Sequence, residues 1–217
     1  MLRNFSLSIT WGVRILLALA ACGFLAKKLG EMSGAFDLPR HLALIPADFW
    51  KGAFWQILTH PFAIQSGAEL LSGAIFLIML GSRVEQTSST RRFWEICLIS
   101  ILSAGLSKIC FTPHSSLPFA GLTGIIFGLL AAWLQFFGHE QVSLFGVRSV
   151  NVRIMVMIGI SFFIISSFVQ LRQLSVDSFL PLVSGVAVWS YLAFQSRPKI
   201  GPSSEVKNSE RIARLEL

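Results

Sequence analysis

The chain has 217 residues, of which 53% are hydrophobic and only 13% charged, and its mean hydropathy is +0.68. A soluble domain carries about 25% charged residues, so this composition excludes an ordinary soluble domain. Much of the net charge of +7 lies in the C-terminal tail and around 83–92, where it indicates contact with anionic lipid heads and not with nucleic acid. We therefore predict an integral membrane protein with the lipid bilayer as its surroundings and no nucleic-acid partner.

Apolar stretches long enough to cross a membrane recur along most of the chain. A spanning helix needs about 20 mostly apolar residues. Six stretches meet this need, at 9–26, 57–81, 93–110, 117–137, 152–170 and 176–195. They predict an all-α integral membrane domain over 1–196, built as a six-helix bundle. The polar residues 197–217, with Pro and Gly near their start, predict a flexible basic cytoplasmic tail.

The first loop, 27–56, is too long for a hairpin and too aromatic for a solvated linker. Trp50, Phe54 and Trp55 favour a partly helical element that lies in the interface at headgroup depth. The semi-apolar loop 138–151 is a second candidate for the interface.

Charge placement predicts the orientation. Six spans put both termini on one side, and more Lys and Arg residues flank the spans on that side, which predicts cytoplasmic termini. No retention or transit signal is recognisable, which favours a bacterial inner membrane over an organelle membrane. LAAC at 19–22 matches a lipoprotein cleavage box, but we expect the first span to be retained. The three cysteines have no metal-ligand or redox spacing, so we expect no metal or cofactor.

Three motifs occur in a fixed order along the chain: FWQILTHPF at 54–62, LGSRVE at 80–85 and GLTGIIFG at 121–128. Over roughly 40–195 this order resembles the rhomboid intramembrane serine proteases and their inactive relatives. The resemblance implies a six-helix bundle in which a serine and a histidine form a catalytic dyad.

The resemblance also implies which positions of this chain correspond to the family's functional residues. The nucleophilic serine falls on Thr123, and the histidine base falls near Ser178. The two oxyanion-binding residues of the second helix fall on Glu69 and Gly73, and the arginine of a first-loop W-R pair falls on Gln56. Nearly every position that would perform chemistry therefore carries a different residue.

Thr123 can be a nucleophile only if a base lies within hydrogen-bond reach. The four histidines all lie outside the fifth and sixth spans, and Lys108 lies at the end of the third. An ionised Glu69 would repel the oxyanion of a tetrahedral intermediate, whereas a protonated one could donate to it. The oxyanion positions are thus expected to be degenerate.

The glycines of GLTGIIFG have a structural interpretation. Small residues four apart let two helix backbones approach closely in a bilayer. Gly124 and Gly128 form such a pair, Gly121 is expected to extend their face by one turn, and Thr123 is expected to bond back to a carbonyl one turn earlier.

Three functional hypotheses remain open. The leading one is a rhomboid-like pseudoprotease that recognises transmembrane helices of client proteins. The alternative is an active intramembrane endopeptidase that uses Thr123 as nucleophile. The third is a channel or transporter on an unrelated six-helix fold, suggested by Pro61 and Pro181 within two spans.

Overall fold

The structure is a computed structural model that describes residues 9–33, 38–138, 141–144, 148–154, 156–157, 160–161 and 179–195. Its helices are α1 (Trp11–Ser33), α2 (Leu38–Leu42), α3 (Pro46–Phe49), α4 (Gln56–Thr59), α5 (Gly67–Phe76), α6 (Ser82–Ser88), α7 (Thr90–Phe111), α8 (Thr123–Phe137) and α9 (Leu180–Gln195). A 3₁₀ turn, His60–Phe62, follows α4, and a π turn, Leu77–Gly81, joins α5 to α6. The described chain is predominantly helical, as predicted.

Two helices among the described residues are long and apolar enough to cross a membrane. They are the continuous helix Gly67–Ser88, formed by α5, the π turn and α6, and Thr90–Phe111, which is α7. Thr123–Phe137 and Leu180–Gln195 are apolar but shorter. The predicted span 152–170 lies mostly outside the described residues, as do the start of 176–195 and the tail 197–217.

The second predicted span begins later than the sequence indicated. Residues 57–66 form the end of α4, the 3₁₀ turn and an extended segment, and the spanning helix begins only at Gly67. Pro61 cannot donate a backbone hydrogen bond, which favours a short turn over a continuous helix at this point. The Ser66 side chain accepts a hydrogen bond from the Glu69 amide and so caps the new helix.

The central packing unit consists of α7, α8 and α9. Gly124 lies against Ala104, and Gly128, one turn later, lies against Ser100, so α7 and α8 run antiparallel. The Ser184 hydroxyl of α9 lies 2.7 Å from the Gly124 carbonyl oxygen and 2.6 Å from the Pro181 carbonyl oxygen of its own helix, and it shares its one proton between them. Three helices therefore meet along the glycine face of α8.

Glu85 of the LGSRVE motif joins the start of α1 to the rest of the bundle. Its carboxylate is buried and accepts hydrogen bonds from the amides of Gly12 and Val13, at 3.1 and 3.3 Å, and from the Thr90 hydroxyl at 3.1 Å. The first amides of a helix have no partner within the helix, and a carboxylate there is favoured by the helix dipole. Glu85 therefore caps α1 from a distant part of the chain.

The loop after α8 contains a hairpin that the all-α prediction did not include. Strands β1 (Gln141–Leu144) and β2 (Arg148–Asn151) pair antiparallel, with Val142 opposite Val150. β1 alternates polar and apolar residues, the period of an extended strand, whereas β2 begins with two polar residues, Arg148 and Ser149. The fold class is therefore predominantly helical with one short hairpin.

Candidate functional site at the head of α8

Thr123 is the first residue of α8, and the loop in front of it is held in place by backbone contacts. Leu44 of the first loop and Phe119 exchange two backbone hydrogen bonds, at 2.9 and 2.8 Å. The Gly121 amide donates to the His60 carbonyl at 3.0 Å. Gly121 has a φ of +102°, a conformation that residues with a Cβ rarely adopt. These contacts fix the position at which Thr123 enters the helix.

The structure brings Glu69 and Gly73 of α5 to this loop. Three of the positions that the resemblance singled out, Thr123, Glu69 and Gly73, are therefore neighbours. A Cβ on Gly73 would lie 2.7 Å from Cδ1 of Leu122. A Cβ on Gly121 would overlap Oε1 of Glu69. The sequence suggested that Gly121 extends the glycine face of α8, and this prediction is wrong. Gly121 lies before the helix and makes room for the Glu69 carboxylate.

Glu69 has a structural role at the start of α5. Its amide donates to the Ser66 hydroxyl at 3.1 Å, and its Oε2 accepts from the Gln65 amide at 2.9 Å. The ammonium of Lys27 donates to the Gln65 carbonyl. The pattern Ser-x-x-Glu at a helix start is the capping-box signature, which was readable in the sequence. Glu69 is thus a helix-capping acceptor placed beside the head of α8.

The face of α9 opposite Thr123 carries no proton acceptor in the described residues. Ser184 contacts the Gly124 carbonyl, and Gly185 approaches the Phe127 carbonyl, so the level of Thr123 corresponds to the turn of α9 that precedes Ser184. That turn contains Leu180 and Pro181, both buried and apolar. Ser178, the predicted base position, lies outside the described residues.

Two other candidate bases, His60 and Lys108, make contacts with other groups. The His60 ring is 5.4 Å from the Phe119 ring, and its Nδ1 is 3.1 Å from the Ile57 carbonyl oxygen. Lys108 is fully buried on the α7 face that carries Ser100 and Ala104, one turn beyond Ala104, and it interacts with other groups. This burial was not predictable from the charge and position of Lys108 in the sequence.

The Thr123 side chain makes no hydrogen bond to any group in the part of the chain that the structure describes. The expected bond to a carbonyl one turn earlier does not form, because Thr123 is the first helical residue and no helical turn precedes it. Thr123 is partly exposed. Its hydroxyl is therefore positioned by the backbone alone.

Gly124 and Gly128 allow the close approach of α7. A Cβ on Gly124 would lie 2.9 Å from the Ala104 Cβ, and one on Gly128 would overlap the Ser100 hydroxyl and come within 3.2 Å of Val188. A Cβ at either position would force groups of α7 to shift, so the two glycines allow the helices to pack at this distance.

Comparison with known proteins agrees with the family resemblance of the sequence motifs. The family profile described as the Rhomboid domain matches residues 51–193. Over 113 residues, or 52% of this chain, the sequence is 28% identical to the rhomboid protease GluP of Bacillus subtilis (strain 168). The aligned part is 22% of that protein, so this chain spans about a fifth of the relative's length.

Proposed function

This chain belongs to the rhomboid family, and we propose that it is an integral membrane member that does not cleave peptide bonds and instead binds transmembrane helices of client proteins. One observation supports the loss of cleavage: the described turn of α9 at the level of Thr123 holds Leu180 and Pro181, and neither side chain can accept a proton from the Thr123 hydroxyl.

The chemistry of acyl transfer explains why this arrangement would be inactive. A hydroxyl without a base attacks a carbonyl far more slowly, and loss of a nucleophile or base costs several orders of magnitude in turnover. Loss of one oxyanion donor costs about 10²–10³ in turnover. Here Glu69 accepts a hydrogen bond from the Gln65 amide, and in its ionised form it would oppose a developing negative charge.

Client binding needs a membrane-facing surface near this site, and α5 offers one. Leu71, Ile75 and Phe76 are 65%, 50% and 48% exposed, and they follow Glu69 along the same helix. In a bilayer such side chains contact lipid tails or another helix with similar energy, so packing and polar contacts decide which. Phe76 lies two turns beyond Glu69 on the same side of α5, whereas Leu71 and Ile75 lie on other sides of the helix.

A reconstituted system tests both halves of the proposal. A photoreactive residue at Ile75 should crosslink to a model transmembrane substrate that contains a helix-breaking segment, and the substrate should stay uncleaved. The matched control is the same residue at Leu98 of α7, which is 49% exposed and should give little product. Equal crosslinking at both positions would contradict the client-binding surface, and appearance of cleaved substrate would contradict the inactivity.

An active endopeptidase is the second candidate, because the Thr123 hydroxyl is not engaged in any hydrogen bond within the described residues and Lys108 is buried one turn beyond Ala104. A neutral lysine can serve as the base of a hydroxyl nucleophile. This candidate requires substrate cleavage that disappears in both Thr123→Val and Lys108→Met. Intact substrate with the unaltered protein, beside an active rhomboid that cleaves it, would reject it.

A further inference from the structure

The first loop contains a cavity of about 540 Å³ that has no part in the site at the head of α8. Arg40 and His41 of α2 line one side, Asp48 of α3 and Lys51 line another, and Gln56 of α4 lies at its end. Its volume falls within the range of cavities that hold small ligands, about 300–1,000 Å³. The loop therefore has room for a polar group between its short helices.

Hydrogen bonds hold the walls of this cavity in place. Gln56 is only 3% exposed, and its Oε1 accepts from the Ile45 amide at 3.0 Å. The indole N–H of Trp55 donates to the His41 carbonyl at 3.2 Å, and the Thr59 hydroxyl donates to the Leu42 carbonyl at 2.9 Å. These bonds join α2 to α4, so the cavity exists without a ligand.

The cavity presents charges of both signs. Arg40 and Lys51 contribute cations, and Asp48 contributes a carboxylate whose Oδ1 is 3.3 Å from the Lys51 ammonium. The Lys51 side chain is 76% exposed and that of Asp48 is 36% exposed. An exposed ion pair of this kind contributes little, so either partner can exchange the other for a charged ligand. A guanidinium has five N–H donors and can engage a phosphate in addition to its existing contacts.

Aromatic residues place the cavity at the level of lipid headgroups. Trp50, Phe54 and Trp55 are 63%, 60% and 55% exposed, and Trp55 also lines the cavity. The Phe49 ring packs edge-to-face on Trp50 and Phe54, with centroids 5.6 and 5.1 Å apart, which makes these rings one cluster. Exposed Trp residues of membrane proteins concentrate at the membrane–water interface. A cavity bordered by this cluster therefore lies at the depth of the lipid headgroup phosphates.

We propose that this cavity binds the headgroup of a phospholipid that carries both a phosphate and a primary ammonium, as phosphatidylethanolamine does. Arg40 and Lys51 bind the phosphate, and Asp48 accepts a hydrogen bond from the ammonium. Phosphatidylglycerol offers Asp48 only neutral hydroxyl donors in place of an ammonium, and a quaternary ammonium has no N–H to donate to it. The bound lipid would anchor the first loop at a defined depth.

Native mass spectrometry of the full-length protein, stripped of lipid in detergent, tests this assignment. The protein is titrated with phosphatidylethanolamine, phosphatidylcholine and phosphatidylglycerol of identical acyl chains. We expect one phosphatidylethanolamine to bind more tightly than either of the others. Arg40→Gln and, separately, Lys51→Gln should each weaken its binding about five-fold, the usual effect of one cation near a lipid phosphate. Asp48→Asn should abolish the preference for phosphatidylethanolamine over phosphatidylcholine.

The matched control is Arg91→Gln, which removes one exposed cation at the start of α7, the end of the bundle opposite the first loop. It should leave binding unchanged. Equal affinity for the three lipids, tighter binding of phosphatidylglycerol, or equal weakening by Arg91→Gln and Arg40→Gln would overturn the proposal. Displacement of the lipid by an equal concentration of free phosphoethanolamine would overturn the assignment to a membrane lipid.

Discussion

The head of α8 and its glycine face lie within two turns of each other and differ sharply. On the glycine face, Gly124 packs against Ala104 and Gly128 packs against Ser100. A Cβ at either glycine would clash with its neighbour. At the head, the nucleophile position carries Thr123, whose side chain no described group contacts by a hydrogen bond. Packing along α8 thus does not require a serine at its first residue.

The largest expected effect comes from filling the glycine face. Gly128→Ala places a methyl where the Ser100 hydroxyl lies, so we expect the free energy of unfolding to fall by about 3 kcal/mol. Reversible unfolding in detergent measures this change. Ser100→Gly in the same chain should recover more than half of the loss, because the clash is removed. Simple addition of the two single effects would show that Ser100 does not set this limit.

The cap of α1 should give the next largest effect. Glu85→Ala removes the acceptor of the Gly12 and Val13 amides, and an unpaired buried amide costs about 1–3 kcal/mol. We expect a loss of about 2 kcal/mol in the same unfolding measurement. The matched control, Glu31→Ala, removes an exposed carboxylate at the other end of α1 and should change stability by less than about 0.5 kcal/mol. Similar losses in both variants would refute the capping role.

Ser184→Ala should have a moderate effect, since it removes the hydrogen bond between α9 and the Gly124 carbonyl. The expected loss of unfolding free energy is about 1 kcal/mol. Ser103→Ala is the comparison, because the Ser103 hydroxyl donates to the Ile99 carbonyl of its own helix and joins no second element. A larger loss at Ser103 than at Ser184 would contradict the role of this contact between helices.

The smallest effect is expected at the head of α8. Thr123→Val keeps the shape of the side chain and removes a hydroxyl that has no hydrogen-bond partner in the described structure, so stability should change by less than about 0.5 kcal/mol. A loss of 1 kcal/mol or more in the unfolding measurement would mean that the hydroxyl has a partner after all.

Long helices were predictable, and the contacts between them were not. The sequence placed a span at 93–110, and the structure has Thr90–Phe111, because apolar composition alone marks such a helix. The second span was predicted ten residues too early, since the hydropathy of 57–66 hides the turn at Pro61 and the cap at Ser66. The capping box of Glu69 was visible as a motif but was not read as one.

The structure alone revealed the roles that depend on distant residues. Ser184 and Gly124 are 60 positions apart, and Glu85 and Gly12 are 73 apart, so neither bond leaves a pattern in a local window of sequence. The burial of Lys108 depends on how α7 packs, which its charge alone would not suggest. Gly121 was assigned to the glycine face by spacing, whereas its positive φ puts it before the helix.

Labelling with a serine-reactive fluorophosphonate tests most directly whether the head of α8 lacks an activated hydroxyl. The purified protein, Thr123→Ser and Thr123→Val are compared with an active rhomboid in the same detergent. We expect a labelled control and no label on any of the three, including Thr123→Ser, because the described turn of α9 at the level of Thr123 offers it no base. Label on the unaltered protein that disappears in Thr123→Val would contradict it, and would mean that a base reaches Thr123.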